Sequence, residues 1–276
     1  MPNTLLRFGF HDFLNAQPLL LPLKRAARQA GMEIVLGAPA ELAAKLKAGE
    51  LDLAMIPSAG YLKEADRYRL APGLSIASRG AVGTVLLAAK TPLAEVRSLA
   101  LDNRSITSET LLRVLFGARF HPRIQFHGVV PDPKTMLENY DAALVIGDQA
   151  FQIPILWRRN RNFDIYDLSA EWFRRTGKTF VHAVVAALPE AELEQGTLDI
   201  LQRSKAEGLQ SIPEIAKTQA EKHGISKELC EDYLMNKIIY DLGEEELAGL
   251  ALFRDWCHER GLIERKHEIR FVEPHS

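Results

Sequence analysis

Residues 5–57 decide the fold of this chain, and they read LLRFGFHDFLNAQPLLLPLKRAARQAGMEIVLGAPAELAAKLKAGELDLAMIP. Three short apolar segments predict strands at Leu5–Phe10, Glu33–Leu36 and Leu51–Ile56. Pro18 and Pro39 each open a segment with helical spacing of apolar residues, so a helix is expected after each of the first two strands. This β-α-β-α-β order predicts parallel strands joined by right-handed crossovers, with ligands bound beyond the carboxyl ends of the strands.

A second alternating block follows the first. It predicts three strands, at Val85–Lys90, Ser98–Asp102 and Ala142–Asp148, and a helix that begins at Thr107. Phe180–Leu188 predicts one more strand. The rest of the chain has mostly helical periodicity, with helices expected at Ala191–Lys205, Ile212–Lys222 and Glu244–Glu259.

Two alternating blocks without a long linker predict an α/β protein of two lobes with a helical C-terminal part. We expect residues 1–88 and 186–276 to form lobe one and residues 89–185 to form lobe two. The chain is expected to cross between the lobes near residue 89 and again near residue 185. A hinged ligand cleft is expected between the two lobes.

Composition excludes several classes of protein. The chain has 276 residues, of which 47% are hydrophobic and 25% charged, as is typical of a globular protein. A net charge of −2 and the lack of a dense Lys/Arg run argue against a nucleic-acid partner. No apolar stretch reaches the roughly 18 residues of a membrane span, and Arg7, His11 and Asp12 interrupt the apolar N-terminal segment. We therefore expect a cytoplasmic protein that does not bind membranes; its oligomeric state is left open.

Neither a metal nor another cofactor is expected. The metal-binding helix H-E-x-x-H, the Walker phosphate loop and the G-x-S-x-G nucleophile elbow do not occur in the sequence. Cys230 and Cys257 form no C-x-x-C pair, so neither a disulfide framework nor a cysteine metal site is predicted.

Polar residues directly after the predicted strands are the candidates for ligand contact. Asn15 follows the first strand, where its amide can donate and accept hydrogen bonds without a change of protonation; a turn or cap before Pro18 is the alternative. Ser58 ends the third strand, where a simple turn explains it equally well. Asp148 ends the last strand of the second block, where it either orients a neighbour or caps a helix.

The segment Asp102–Leu111, DNRSITSETL, is the strongest local signal. A strand ends there and hydroxyl residues gather at the start of a helix, an arrangement suited to binding an anion through Ser105, Thr107 and Ser108. Helix capping by Ser105 or Thr107 is the alternative.

Two further candidates come from other parts of the chain. The loop at Ser78, Arg79 and Gly80 offers close backbone approach and a cationic donor, although a bare turn explains it as well. His182 is a reserve catalytic base, and an ordinary hydrogen-bonded histidine is its alternative.

Six motifs in order resemble the chorismate dehydratase family of the futalosine route to menaquinone. They are LNAQPL, ELDLAMIPSAGYL, LSIASRGAVGTVLL, LALDNRSITSETLL, VIGD and DLSAEWFRRTG, and the likeness spans about Leu5–Phe271. The resemblance implies a two-lobed, type II periplasmic-binding-protein-like fold. It also implies conversion of chorismate to 3-[(1-carboxyvinyl)oxy]benzoate and water. Residue by residue, it implies a specific role for Asn15 and substrate contact by Ser78–Gly80 and Ser105–Ser108.

The chain differs from the family pattern at His11–Phe13 and at Lys178–Val184, so another small carboxylate is an alternative substrate. A noncatalytic carboxylate-binding protein is the main rival function. A 1,4-dihydroxy-6-naphthoate synthase-like enzyme is the rival within the same pathway. The effector domain of a regulator is a third possibility, but no DNA-binding helix pair precedes the first strand.

Overall fold

The computed structural model describes residues 5–104, 106–191 and 193–273 of the chain. Ten strands alternate with helices along most of the described chain. The strands are β1 (Leu6–Phe10), β2 (Met32–Leu36), β3 (Leu53–Pro57), β4 (Arg69–Ser78), β5 (Val85–Ala89), β6 (Ser98–Asp102), β7 (Gln125–Val129), β8 (Ala142–Ile146), β9 (Asp164–Asp167) and β10 (Phe180–Ala187).

The helices fall into an N-terminal set between strands and a C-terminal set after the last strand. The first set is α1 (Gln17–Ala26), α2 (Pro39–Lys47), α3 (Ser58–Lys63), α4 (Ile106–Phe116), α5 (Pro133–Asn139), α6 (Gln152–Asn160) and α7 (Leu168–Thr176). The second set is α8 (Gln195–Gln210), α9 (Ile212–His223), α10 (Lys227–Asp232) and α11 (Glu244–Glu259), with a π-helix at Tyr233–Lys237 between the last two. Among the described residues no helix is long and apolar enough to cross a membrane.

Two five-stranded sheets share one topology. The first has the order β2-β1-β3-β10-β4 and the second the order β7-β6-β8-β5-β9. In each sheet four strands run in one direction and one strand is antiparallel to them: β10 in the first sheet and β5 in the second. The predicted parallel β-α-β-α-β unit is confirmed, and each sheet places the carboxyl ends of its parallel strands at one edge.

The chain changes sheets earlier than the sequence predicts. The first change lies between Ser78 and Val85, and the second lies between Asp167 and Phe180. Residues 89 and 185, near which the crossings are expected, lie at the end of β5 and within β10, the first strand after each change of sheet. Glycines at positive φ make the actual turns, with φ values of 83° at Gly80 and 65° at Gly177. The division into lobes at those residue numbers stays a prediction.

The sequence analysis did not predict three of the strands, β4, β7 and β9. β4 contains Pro72 and Gly73, which a strand interior normally excludes, but it is an edge strand whose only partner within the sheet is β10. β7 and β9 are the edge strands of the second sheet, and their half-exposed residues lack a continuous apolar pattern. Edge position therefore explains all three omissions.

Aromatic packing fixes the second crossing against the first sheet. Trp172 of α7 is fully buried and makes edge-on ring contacts with Phe180, Phe253 and Trp256, at centroid distances of 5.5, 5.9 and 5.1 Å. Such contacts add to the free energy gained by burying the rings. These contacts hold α7, the helix through which the chain returns from the second sheet, against β10 and α11.

The C-terminal helices complete the first lobe through one very close helix contact. Helix α8 packs on α1, and a Cβ placed on Gly208 would lie 1.5 Å from the backbone oxygen of Pro18. No residue larger than glycine fits there unless the two helices separate.

Gly208→Ala is expected to lower the free energy of unfolding by about 1–3 kcal/mol or more, because the added methyl group meets backbone rather than a movable side chain. Gly196→Ala in the same helix is the matched control. Its Cβ meets no atom within 4 Å, so this variant should gain about 0.5–1 kcal/mol from helix propensity. Chemical denaturation measures both values. Equal stability of the two variants would contradict the close contact.

Candidate active site

The main cavity lies where the carboxyl edges of the two sheets meet. It has about 70 Å³ of internal space and takes lining residues from both sheets, which is the usual place for a small-molecule site. The first sheet and its loops contribute His11, Phe13, Asn15, Pro39, Pro57, Ile76, His182 and Ala183. The second sheet and the crossing before it contribute Val82, Thr84, Val85, Arg104, Thr107, Ser108, Ile146 and Gly147. Ile238, from the C-terminal helical part, also lines the cavity.

Arg104 is the charged side chain among these lining residues. It follows β6, and its guanidinium donates to the carboxylate of Asp102 through Nε at 2.9 Å and Nη2 at 2.7 Å. The Asp102 side chain is fully buried, so it holds the guanidinium in one orientation. The group lies over the ring of Phe13 at 5.2 Å. A positive charge is thus fixed at the cavity wall, where an anionic ligand can meet it.

Helix α4 begins beside Arg104 and presents two hydroxyl residues to the cavity. Thr107 and Ser108 are both buried and both line it. The Oγ1 atom of Thr107 accepts a hydrogen bond from the backbone N–H of Ala59 at 3.1 Å, which leaves its own hydrogen for another acceptor. The third predicted hydroxyl, Ser105, lies outside the described residues. A helix start with positive dipole and hydroxyl donors is suited to bind a carboxylate.

Asn15 reaches the cavity on a short 3-10 turn, Leu14–Ala16, that follows β1. Its Oδ1 atom is buried and has no hydrogen-bond partner among the residues that the structure describes. A buried polar atom without a partner is unfavourable, and a ligand that supplies a donor removes the penalty. Asn15 therefore carries the open hydrogen-bonding capacity expected of a ligand contact rather than of a satisfied cap.

Asp148 supports this turn and does not line the cavity, in contrast to its predicted role in substrate binding. Its carboxylate accepts from the backbone N–H of Leu14 at 3.1 Å and lies 3.3 Å from Nδ1 of His223. Burial raises the pKa of Asp148, and the nearby His223 and the Leu14 N–H oppose that shift. The carboxylate is thus committed to neighbouring residues, which matches the alternative that it orients them.

Two histidines line the cavity as neutral rings. Burial lowers the pKa of His182 to about 4, and it lowers the pKa of His11 to about 4 against the opposing effect of Asp12. Nε2 of His182 lies 2.9 Å from the hydroxyl of Ser78. Nδ1 of His11 is buried without a partner. His182, the predicted reserve base, is therefore on the cavity and hydrogen-bonded to its neighbour.

Besides Asp148, four predicted substrate contacts lie outside the cavity lining, each for a local reason. The hydroxyl of Ser58 donates to the backbone oxygen of Val181 at 2.7 Å, and that of Ser78 is used by His182. Arg79 is exposed, pairs with Glu245 at 3.1 Å and lies over the ring of Phe173. Gly80 forms the turn of the first crossing at φ 83°. The side chains of Ser58, Ser78 and Arg79 are thus engaged by neighbouring residues.

Sequence reasoning missed Arg104, Thr84 and Tyr233. Arg104 had a signal, because it is the basic residue within the segment DNRSITSETL that was already selected as an anion site. Thr84 hydrogen-bonds to the hydroxyl of Tyr233 at 2.9 Å. No local pattern reveals that contact, since Tyr233 lies in the C-terminal helical part and reaches the site only through the tertiary fold.

The arrangement combines a fixed cation, a helix start with hydroxyl donors, neutral histidines and an amide with an unpaired oxygen. Most of the remaining wall is apolar, which strengthens each polar contact within it. Such a site can orient a small apolar ring that carries carboxylate and hydroxyl groups.

Solved structures with similar backbones support the observed architecture. A protein of Archaeoglobus fulgidus superposes with a TM-score of 0.71 at 16% identity, covering 95% of this chain and 100% of that chain. The periplasmic aliphatic sulphonate binding protein SsuA of Escherichia coli superposes with a TM-score of 0.62 at 17% identity, covering 99% of this chain and 93% of that chain. These likenesses concern the fold alone, and they confirm the predicted two-lobed, periplasmic-binding-protein-like architecture.

Sequence comparison, in addition, shows the family of the chain. A curated chorismate dehydratase of Thermus thermophilus is 32% identical over 251 residues, which cover 85% of this chain and 90% of that protein. The sequence model of a menaquinone biosynthesis family matches residues 6–259. Since the match spans nearly all strands and helices described above, the chain belongs to this menaquinone biosynthesis family.

Proposed function

We propose that this protein is a chorismate dehydratase, a hydro-lyase that converts chorismate to 3-[(1-carboxyvinyl)oxy]benzoate and water. The observation that carries the proposal is the unpaired amide oxygen of Asn15 on the same cavity as Arg104 and the start of α4. The curated relative acts as a chorismate dehydratase, and the donor set here suits a dicarboxylate with a leaving hydroxyl group. We further propose that the enzyme works in the cytoplasm on this small carboxylate without a cofactor.

Arg104 and α4 bind the carboxylates in this proposal. Arg104 supplies a guanidinium held by Asp102, and Thr107 supplies a hydroxyl hydrogen at the first turn of the helix. A charge-assisted contact of this kind is stronger than a neutral one, particularly against an apolar wall. The ring of the substrate then lies among the apolar residues of the cavity.

The elimination itself needs few catalytic groups from the protein. A proton leaves the ring carbon that bears the enolpyruvyl ether, the C–O bond to the neighbouring hydroxyl breaks, and hydroxide departs with a proton as water. Because the ring becomes aromatic, the driving force lies in the substrate. We propose that a substrate carboxylate takes the ring proton while Asn15 holds the reactive conformation.

His182 is the second group considered for proton transfer. Its ring is neutral, because burial lowers its pKa to about 4, and its Nε2 is already hydrogen-bonded to Ser78. A carboxylate is an equally weak base, so pKa does not decide between the two groups. The substrate carboxylate is preferred because the substrate itself carries it close to the reacting carbon, whereas Nε2 of His182 is engaged with Ser78.

Purified protein incubated with chorismate is expected to form the aromatic enolpyruvyl ether. Liquid chromatography with ultraviolet detection measures the product. Asn15→Ala should lower the single-turnover rate by about 10²–10³ while chorismate affinity changes less, as for loss of an oriented donor in a water-poor site. His182→Ala is the comparison variant, and thermal midpoints verify that both variants fold. Tight binding with unchanged chorismate in the wild-type protein would favour a noncatalytic receptor. A large loss for His182→Ala with normal turnover of Asn15→Ala would make the histidine the catalytic group.

The pH dependence of turnover should lack a histidine inflection. Both cavity histidines have pKa values lowered from 6.5 to about 4, so they stay neutral as the pH falls through 6.5 and gain a proton only near 4. We expect kcat/KM to stay level from about pH 8 to about pH 6. An inflection near pH 6.5 that disappears in His182→Gln would contradict the lowered pKa and restore histidine as the base.

Thr107→Val is expected to raise the KM for chorismate about 2–10-fold, since a hydroxyl hydrogen bond contributes ~0.5–1.5 kcal/mol. Thr107→Ser keeps the hydroxyl and should restore the wild-type KM, which separates ligand contact from the packing of the methyl group. Initial-rate kinetics on both variants give the comparison. An unchanged KM in folded Thr107→Val would show that this hydroxyl only joins α4 to Ala59.

A further inference from the structure

His11 lines the cavity, but the proposed reaction gives it no role. It directly follows β1 and is 4% exposed. Its ring packs beside two aromatic side chains, with centroid distances of 6.1 Å to Phe10 and 5.0 Å to Phe13. Neither phenylalanine side chain has a nitrogen or oxygen atom to offer, and Nδ1 of His11 has no hydrogen-bond partner among the described residues. His11 therefore brings an unsatisfied polar ring to the cavity wall.

The other histidine on the cavity, His182, shows the satisfied arrangement. Its Nε2 lies 2.9 Å from the hydroxyl oxygen of Ser78 and 3.4 Å from that of Ser169. Both rings are neutral, because burial lowers the pKa of each to about 4. The two histidines thus differ in their hydrogen bonds and not in their charge. A buried nitrogen without a partner is unfavourable, and a ligand that supplies the partner removes the penalty.

The kind of ligand group that suits His11 follows from its neutral ring. One nitrogen of a neutral imidazole carries a hydrogen, and the other carries a lone pair. An alcohol both donates and accepts, so it can hydrogen-bond to whichever nitrogen it meets, whereas a carboxylate only accepts. A carboxylate is better matched by the guanidinium of Arg104, which makes charge-assisted hydrogen bonds.

Arg104 and His11 border the same part of the cavity. The ring of Phe13 contacts both of them, with its centroid 5.0 Å from that of the His11 ring and 5.2 Å from the guanidinium carbon of Arg104. All three residues line the cavity. A small ring can therefore meet the cation with one substituent and the neutral histidine with another.

We propose that His11 is a specificity-determining residue that hydrogen-bonds through a ring nitrogen to a hydroxyl group of a ligand whose carboxylate lies at Arg104. It selects ring carboxylates that carry the hydroxyl group over those that lack it. In chorismate this group is the leaving hydroxyl, an identification that rests on the proposed function. An alcohol oxygen donates one hydrogen bond and accepts two, so contact with His11 is compatible with contact by Asn15.

The test measures binding of 4-hydroxybenzoate and benzoate, two unreactive ring carboxylates that differ by one hydroxyl group. The hydroxyl of 4-hydroxybenzoate lies across the ring from the carboxylate, as it does in chorismate. Calorimetric titration of the wild-type protein should show about tenfold tighter binding of 4-hydroxybenzoate, because benzoate leaves the His11 nitrogen unpaired. His11→Leu should bring this ratio close to one. His182→Leu, the comparison variant, should keep the wild-type ratio, since Nε2 of His182 is engaged by Ser78.

Two conservative variants separate the hydrogen bond from the shape of the ring. His11→Gln keeps a neutral amide near the position of Nε2, and His11→Asn keeps one near the position of Nδ1. One of them should restore most of the ratio and thereby identify the nitrogen that meets the ligand. Equal loss in the leucine, glutamine and asparagine variants would show that shape alone sets the ratio and would overturn the proposal. A wild-type ratio near one, or an unchanged ratio in His11→Leu, would overturn it as well.

Thermal midpoints without ligand give a second readout. His11→Leu is expected to raise the midpoint by about 2–4 °C, because an apolar side chain replaces an unsatisfied buried ring. His182→Leu should lower the midpoint, since the buried hydroxyl of Ser78 loses its partner. A lowered midpoint in His11→Leu would show that the ring is satisfied within the protein, which contradicts the proposal.

Turnover of chorismate separates the role of His11 from the proposed reaction. If wild-type protein leaves chorismate unchanged but its preference for 4-hydroxybenzoate depends on His11, the proposed reaction fails and the selectivity of His11 stands. If chorismate is dehydrated and the ratio is the same in His11→Leu as in wild type, the proposed function stands and the role of His11 fails.

Discussion

The hydrogen bond from the backbone N–H of Leu14 to the carboxylate of Asp148 is the contact on which the site depends. Leu14 follows the first strand of one sheet, and Asp148 follows the third parallel strand of the other. The bond therefore fixes the 3-10 turn of Asn15 relative to the second sheet. Burial raises the pKa of the Asp148 carboxyl group, and His223, the Leu14 N–H, Arg104 and Lys222 oppose that shift. An opening of the cleft would break this bond and release Asn15 from Arg104 and α4 together.

Two kinds of basic side chain line the cavity, histidine and arginine. Burial makes the histidines neutral, with pKa values of about 4, and thereby removes them as cations. Asp102 accepts two N–H groups of Arg104 and fixes the orientation of its guanidinium. This guanidinium lies beside the start of α4, so the donors suited to an anionic group lie together at one wall of the cavity. This separation lets an anionic group bind at one wall and leaves neutral donors and acceptors for the reacting carbon atoms.

The sequence predicted those parts of the fold that local patterns encode. The strand at Ser98–Asp102 and the helix at Glu244–Glu259 have the predicted bounds, and the parallel order of the first three strands follows from their alternation with helices. Edge strands were missed because packing on one side only leaves a weak apolar pattern. Glycine turns at Gly80 and Gly177 accompany the changes of sheet, and the apolar content of β5 and β10 does not reveal which sheet each strand joins.

The site was predictable where residues follow strands, and not where distant segments meet. Asn15, Thr107, Ser108 and His182 line the cavity, as their positions after or within strands suggested. Ser58 and Asp148 follow strands too, but their side chains satisfy backbone groups at Val181 and Leu14, which no spacing in the sequence reveals. Tyr233 has neither a motif nor a strand to mark it.

A crystal structure of Asn15→Ala grown with chorismate tests the central claim most directly, since slow turnover should preserve the bound substrate. The account predicts the ring inside the cavity, one carboxylate within hydrogen-bonding distance of Arg104 and the start of α4, and the leaving hydroxyl beside the position vacated by the Asn15 amide. Chorismate bound with its carboxylates away from Arg104, or with its hydroxyl directed toward His182, would contradict it.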